Sequence, residues 1–491
     1  MATLQFKGKS AVWNHHLSVP YHTLEENKKQ SLKGKDSDEN LIIEGDNLLA
    51  LKALLPKYQG RVKCIYIDPP YNTGNENWVY NDNVNSPTMQ EWVGKAVAKD
   101  DLTRHDKWLC MMTPRLKLLK ELLREDGGIF ISIDYNEESR LRLLMDEIFD
   151  EGNYRNTFVV SRVKKNIQET EKVKAVNFGY NSVVFYARTD SCLINPPKRP
   201  HRKEERWHAF DAPGIRSTME FEIFGAKPPQ GRHWMYSKDL VDKMIKEGTV
   251  RKNPKTGSIQ YLLAASDFTL LDTNWTDIQE SDSQWDFLNG EKNVELIKRI
   301  IKMLDEPGAI ILDSFAGSGT TAHAVLDLNR GGGDRKFILV EMESYANEKT
   351  AGRVRKVIKD SADKSGFTYY TLGPAIDAEN LLSGKLPTYK EFAKYVYYLA
   401  TGKNHPNEAK IKESDSLVGK AEHESIYLLY EKDKKKLKTL AITLDWAQKV
   451  HEKNSGRKIV YAPACYLDDE ALEQYNIKFV SIPYNLFERN V

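Results

Sequence analysis

An α/β fold, carrying one inserted region and ending in a small α/β module, is what this sequence predicts, on three observations. Short apolar, β-branched runs alternate with segments of helical spacing from Leu41 to Asp190, and again through residues 286–372. That alternation is the pattern of a sheet covered by helices. Between the two stretches, over residues 195–285, it dissolves into Pro-Pro, Pro-Gly and Asn-Pro breaks with many aromatics and no sustained period. Beyond residue 385 a fresh alternation begins.

Residues 1–40 are polar and lysine-rich after Trp13, and read as a loosely packed N-terminal arm. Val62 to Ile67, with Tyr66 inside it, is a buried strand by its apolar, β-branched character. Asp106 to Leu123 places Trp108, Leu109, Met112, Leu116, Leu119, Leu122 and Leu123 at helical spacing, as a core helix packed on the sheet requires. Gly127 to Asp134 and Ser182 to Arg188 supply further strands. Ala309 to Asp313 is a short apolar strand that runs into a glycine-rich turn, Ser314 to Thr321. A helix opens there with Ala322, Ala324, Val325 and Leu328 on one face, and Phe337 to Val340 is the next strand. In residues 385–491, strands at Ile426–Tyr430, Lys458–Ala462 and Ile477–Ile482 alternate with helices at Leu444–Val450 and Asp468–Tyr475.

Two of these junctions carry chemistry. The first strand ends in Asp68-Pro69-Pro70-Tyr71. The carboxyl ends of strands are where α/β sheets bind ligands, and two prolines stiffen the backbone that follows the acid. An exocyclic nucleobase amine is a poor nucleophile, because its lone pair is delocalised into the ring. Asp68 and the Pro69 carbonyl can each accept one amino hydrogen and so localise that lone pair. Tyr71 can stack on a base swung out of its helix. The second junction, Asp313 to Thr321, joins strand, glycine turn and helix into a nucleotide-type pocket. It lacks the lysine of a P-loop and the spacing of a dinucleotide fingerprint. The following strand ends in Glu341, placed to accept both hydroxyls of a ribose. With no lysine to neutralise phosphates, an adenosine ligand without a polyphosphate is favoured, and S-adenosylmethionine fits.

The pair Asp68-Pro69-Pro70-Tyr71-Asn72-Thr73-Gly74 and Asp313-Ser314-Phe315-Ala316-Gly317-Ser318-Gly319-Thr320-Thr321 resembles the amino-methyltransferases of DNA in their permuted β-class order, where the catalytic half precedes the cofactor half. The run Ile65 to Gly74, followed by Tyr80-Asn81-Asp82, is most similar to the modification subunits of type III restriction systems. The resemblance covers roughly residues 40–360. It implies a permuted Rossmann-like, S-adenosylmethionine-dependent sheet, with a catalytic half at 41–194 and a cofactor-binding half at 286–372. The insert at 195–285 would be a target-recognition region. It implies catalytic roles for Asp68, Pro69, Pro70 and Tyr71, and cofactor contacts from Asp46, Asp313, Phe315, Gly317, Ser318, Gly319, Thr320 and Glu341. Asp46 belongs to a Gly45-Asp46-Asn47-Leu48 element whose acid would lie near the cofactor's adenine. Asn289 to Asn293 resembles the segment touching the methionine moiety, although the family more often has Lys-Pro where Lys292-Asn293 stands. Asp as the first residue of the tetrapeptide favours adenine N6 over cytosine N4.

Composition narrows the field further. A chain of 491 residues with 40% hydrophobic content can bury an α/β core and at least one more domain. No stretch approaches the roughly 18 apolar residues of a membrane span, and the N-terminal residues carry no signal-peptide pattern. The four cysteines lack metal or disulfide spacing, so reduced thiols in a cytoplasmic protein are expected, with no metal. His15, His16 and His22 have no ligand partners at metal spacing and read as structural. A net charge of +2 excludes a bulk electrostatic clamp on DNA, so any nucleic-acid surface must be local. The insert provides one: it is basic, with Arg206-Trp207-His208 and Arg232-His233-Trp234 as candidate readers of guanine edges or phosphates. Lys164-Lys165 is a second candidate phosphate contact, and Asn72 to Lys99 a candidate flap over the site. The expected partners are double-stranded DNA and, through the C-terminal module, a second copy of the chain or a helicase–nuclease restriction subunit. Two alternatives stand beside this reading: a recognition subunit that places a nuclease, and an amino-methyltransferase acting on cytosine N4 or RNA.

Overall fold

The computed structural model describes residues 3–73, 103–162, 176–282, 291–361, 364–421 and 423–482. Its frame is a ten-stranded sheet built from β1 (His22–Glu26), β2 (Leu41–Glu44), β3 (Val62–Ile67), β4 (Leu123–Ile133), β5 (Tyr154–Ser161), β6 (Tyr180–Ala187), β7 (Asn274–Gln279), β8 (Ile310–Asp313), β9 (Lys336–Glu341) and β10 (Thr368–Ala375). The spatial order is β1-β10-β2-β9-β8-β3-β4-β6-β5-β7. From β10 to β4 the strands run parallel, while β1 and β6 are antiparallel to their neighbours. Parallel strands covered on both faces are mostly apolar; all six residues of β3 and of β9 are buried, with Lys63, Lys336 and Glu341 the charged ones among them.

The period-2 alternation of these strands divides the core in two. Ile65, Ile67, Ile131, Leu312 and Val340 face helices α1 (Asn47–Tyr58), α2 (Arg104–Leu122) and α3 (Glu138–Phe149). Cys64, Tyr66, Phe130, Ile311 and Leu339 face α4 (Val294–Met303), α5 (Thr320–Arg330) and α6 (Gly352–Asp360). Each Leu, Ile or Val fully buried there contributes about 1.5–3 kcal/mol. The consequence for function lies in the strand order. β8 pairs with β3 through Ile311 opposite Cys64 and Leu312 opposite Ile65. The two signature motifs, far apart in the chain, therefore leave the sheet side by side at its carboxyl edge.

Three expectations about organisation are corrected. The N-terminal residues are not a loose arm: β1 extends the sheet by pairing with β10, and Val12, Val19 and Tyr21 are buried. The inserted region ends earlier than residue 285, because β7 pairs in parallel with β5 and so belongs to the large sheet. A separate compact unit spans Pro196–Asp272. The C-terminal residues do form a four-stranded sheet, Leu417–Ala421, Glu424–Leu428, Arg457–Ala462 and Ile477–Ser481 in that order. Yet they share a core with the large sheet's domain: Phe392, Val396, Leu428 and Tyr430 cluster with Tyr21 and Ala53, and Tyr395 stacks on Tyr21 at 4.4 Å. They fold as part of one unit with it.

The unit at 196–272 is an assembly of short pieces: a three-stranded sheet (Val250–Lys252, Ile259–Leu263, Arg206–Ala209), a pairing of Asp211–Pro213 with Arg232–Trp234, a ribbon, a 3-10 turn (Ser217–Met219) and an α-helix, Lys238–Lys246. Phe210, Ile223, Trp234, Val241, Val250 and Ile259 form its core. Strands of three to six residues leave no sustained period, which is why the sequence reads as irregular there. Lys164-Lys165 and the expected flap beyond Thr73 lie outside the described residues.

Candidate active site

Asp68 and Tyr71 follow β3 directly, and the turn between them is pinned by Trp108, whose indole N–H donates to the Pro70 carbonyl at 2.7 Å. The carbonyl assigned to the substrate, that of Pro69, is therefore not the one tied down by the helix. Asn72, at φ 57°, closes the turn; its amide and His105 Nδ1 (2.5 Å) both meet the fully buried carboxylate of Glu137. The aromatic pair Tyr135–Phe178, stacked at 3.9 Å and solvent-exposed, lies where β4 ends and β6 is approached.

A polar network around Asp68 was not legible in the sequence. Lys292 Nζ lies 3.1 Å from Asp68 Oδ1 and 2.5 Å from the Tyr71 hydroxyl, and it also contacts Glu280. The Tyr71 hydroxyl lies 2.7 Å from Asp68 Oδ1 and 2.9 Å from Glu280 Oε1, so its one proton serves either carboxylate. Asn181 donates to the other oxygen of Glu280. One cation thus stands between two carboxylates. Burial raises the Asp68 pKa above the ordinary carboxylate range, against the opposing pull of Lys292. Glu280 is also penalised by burial, but the charge of Lys292 and the hydrogen bonds of Asn181, Lys292 and Tyr71 outweigh that and hold it low. Burial would discharge Lys292, yet Asp68 and Glu280 keep it protonated. Burial, with both carboxylates beside it, likewise keeps the Tyr71 hydroxyl from ionising. Lys292 also sits 5.0 Å from the Tyr71 ring centre, beyond the hydroxyl and at the ring's edge, which leaves the faces assigned to base stacking clear of it.

The neighbouring turn after β8 is built on Gly317 (φ 51°) and Gly319 (φ 81°), a backbone region that β-branched or bulky side chains avoid. A Cβ at Gly319 would approach the Thr350 carbonyl oxygen to 2.9 Å. Phe315, buried, packs into the core below. The other residues expected to hold the cofactor have protein partners. Asp313 accepts from Phe315 N (3.0 Å) and Thr321 Oγ1 (2.5 Å), and burial pushes its pKa up to about 7. Glu341, buried, accepts from Gly317 N (2.7 Å) and Glu343 N (3.0 Å). The Ser318 and Thr320 hydroxyls each accept from Arg353 at 2.9 Å, and that buried guanidinium also pairs with Glu291 at 2.8 Å. Asp46 caps α1 through Leu48 N (2.7 Å) and pairs with Arg115 at 3.2 Å. Arg115 also donates to Asn47 Oδ1 (2.5 Å), and Asn47 donates to the Ser314 carbonyl (2.9 Å). The Gly45–Asn47 element is thereby joined to the glycine turn.

Sequence reasoning missed Lys292, Glu280, Asn181, Arg115 and Arg353. Only Lys292 carried a signal, being the lysine of the Asn289–Asn293 element; residues 289 and 290 themselves lie outside the described residues. Of the proposed base readers in the insert, Arg232 pairs with Asp211 and His233 and Trp234 are buried, so that triplet is structural. Arg206 and His208 remain exposed, whereas the indole of Trp207 carries Arg251 at 3.9 Å.

The chain can now be set against known proteins. It is 31% identical over 377 residues to the StyLTI Mod subunit of a type III restriction-modification enzyme from Salmonella typhimurium strain LT2, covering 68% of this chain and 56% of that protein. It is 28% identical over 359 residues to the type II methyltransferase M.KpnI of Klebsiella pneumoniae, covering 64% of this chain and 82% of that protein. A solved cytosine-N4-specific PvuII DNA methyltransferase aligns at 14% identity and a TM-score of 0.36, over 66% of this chain and 94% of that one. The matched region thus spans little more than half of the StyLTI subunit's length. The family described as DNA methylase matches residues 62–351, from the first residue of β3 to beyond the glycine turn, and the chain belongs to that family.

Proposed function

We propose that this chain transfers a methyl group from S-adenosylmethionine to N6 of an adenine flipped out of double-stranded DNA, as the modification subunit of a restriction-modification system. The observation that carries the reading is the pairing of β3 with β8. It sets Asp68, with its cation and its stiffened turn, beside the glycine turn of a nucleotide-type pocket. Membership of the DNA methylase family and similarity to Mod subunits support the same assignment.

The pocket suits the cofactor on two counts. The turn is glycine-built, and the Ser314 hydroxyl within it, buried, has no hydrogen-bond partner among the described residues. Gly317, Ser314 and Glu341 are the residues that would hold the ligand, with Glu341 exchanging backbone amides for ribose hydroxyls. When bound, S-adenosylmethionine supplies an electrophilic methyl carbon on its sulfonium. The protein's part is to orient and polarise the amine. Asp68 accepts one amino hydrogen and the Pro69 carbonyl the other, which localises the lone pair on nitrogen. Holding the two reactants in line contributes several kcal/mol of the barrier. The nitrogen gains a methyl group and sheds one proton, for which Asp68 is the adjacent carboxylate. No covalent enzyme intermediate is required.

Adenine as the base, DNA as the polymer, a restriction subunit and a second copy as partners are parts of this proposal. The test is to incubate the purified chain with duplex DNA and S-adenosylmethionine, digest to nucleosides and weigh them. N6-methyladenine is expected; N4-methylcytosine in its place would refute the choice of base. Asp68→Ala should abolish the product while cofactor affinity persists.

A further inference from the structure

The unit at 196–272 holds a two-stranded antiparallel ribbon, Lys198–Lys203 against Ser266–Leu270, with Leu270 opposite Lys198, Thr269 opposite Arg199 and Ser266 opposite Lys203. Leu271 N closes its base on the Pro197 carbonyl at 2.9 Å. All six residues of the first strand are exposed, and Phe268 and Leu270 retain 41% and 58% of their surface. None of the ribbon's residues enters the core of that unit. A lone two-stranded ribbon is marginal in water, and lysine and proline are poor strand formers. Fold stability therefore does not account for this composition.

Its charges are also left over. Lys198, Arg199, Arg202 and Lys203 face one ribbon carboxylate, Asp267, and among the described residues none of the four forms an ion pair. Lys198 rests 4.2 Å from the Phe268 ring centre, and Lys203 reaches Thr269 Oγ1 at 3.4 Å. Elsewhere in the unit Arg232 is engaged by Asp211, and Arg251 by Trp207 and Gln260. A one-residue shift in register between Phe268 and Ser266 puts Lys198 and Lys203 on the face of Leu270 and Ser266, and Arg199 on the other. Both faces are thus cationic. Pro200 and the flanking charges guard the edge against addition of another protein's strand.

We infer that this ribbon lies in the major groove of the DNA target, with Arg199 and Arg202 reading guanine edges and Lys198 and Lys203 gripping phosphates on the two walls. A B-form major groove is about 12 Å wide and admits a two-stranded ribbon, and a guanidinium forks onto the two acceptors of guanine. The inference rests on the proposed action on DNA and adds which element selects the word.

The test uses the full chain and a randomised duplex DNA library. The methylated word is read by sequencing, and binding to a mixed-sequence duplex is followed by anisotropy across salt concentrations. Arg199→Ala/Arg202→Ala should relax the word at one or more positions and weaken binding at least tenfold. Lys198→Ala/Lys203→Ala should leave the word intact and lower the salt slope by about 1 per lysine. Lys255→Ala, an exposed cation outside the ribbon, should change neither, and cofactor affinity in every variant reports an intact fold. An unchanged word and salt slope in both double variants, with the wild type active on DNA, overturns the inference and leaves the proposed function standing. Tighter binding to duplex RNA than to DNA also overturns it, because the A-form major groove is too narrow for a ribbon. A wild type that modifies no duplex removes the proposed function itself.

Discussion

Replacing Lys292 with methionine removes the cation that stands between Asp68 and Glu280 while keeping the length of the side chain. At 3.1 Å from Asp68 Oδ1, and with an effective dielectric of about 20, the lost attraction is about 5 kcal/mol. Breaking a buried pair by deleting one partner costs about 3–5 kcal/mol, and here two carboxylates are left facing each other across the Tyr71 hydroxyl. The carboxylates escape that repulsion by taking up a proton. Burial already raises Asp68 against the pull of Lys292, so losing the lysine moves it further in the same direction. A protonated Asp68 no longer offers a full acceptor to the amine. The rate of methyl transfer should therefore fall at least tenfold at pH 7, about 1.4 kcal/mol of barrier, and recover as pH rises toward 9. Initial rates from pH 5.5 to 9 measure this, with cofactor affinity by calorimetry as the control for folding. A Lys292→Met enzyme whose pH profile superposes on that of the wild type would refute the reasoning.

Further expectations follow from single contacts. Asp313 is held above its ordinary pKa, so its contribution to stability is present below the carboxylate range and is lost as pH rises toward about 7. Asp313→Asn keeps the bond from Phe315 N, donates its amide to the Thr321 hydroxyl in place of accepting from it, and cannot ionise; its stability relative to wild type should grow between pH 5 and pH 8 in denaturant titrations, and parallel curves would exclude this. Arg353→Met leaves Glu291 buried without its guanidinium and should cost about 3–5 kcal/mol of unfolding free energy, whereas a loss below 1 kcal/mol would show the pair to be dispensable. Gly317→Val places a β-branched residue at φ 51° and should weaken cofactor binding at least tenfold by calorimetry; undiminished affinity would count against the pocket.

What the sequence made legible was the buried centre of the sheet. β3, β8 and β9 are mostly apolar, because both of their faces are covered, and the glycine turn announces itself by composition. The edges were not legible. β1 is His-Thr-Leu-Glu-Glu and β7 is Asn-Trp-Thr-Asp-Ile-Gln, strands with little apolar character, and so residues 1–40 read as an arm and β7 as part of the insert. The C-terminal strands were found, but a shared core with Tyr21 and Ala53 depends on tertiary packing that no local pattern encodes. The same limit hid the Lys292 network. Asp68, Asn181, Glu280 and Lys292 come from four separate segments, and only the sheet order brings them together. Asp46, Ser318 and Thr320 were assigned by resemblance to the cofactor alone; the structure adds Arg115 and Arg353, buried cations that hold those side chains in place.

The most direct test is a base-resolution map of methylated adenine in DNA from a methylation-free host expressing this chain alone, wild type or Asp68→Ala. The account predicts N6-methyladenine confined to one short word with the wild type and none with the variant. Equal methylation by both would contradict the role of Asp68 at the end of β3, and modification of cytosine alone would contradict the choice of base.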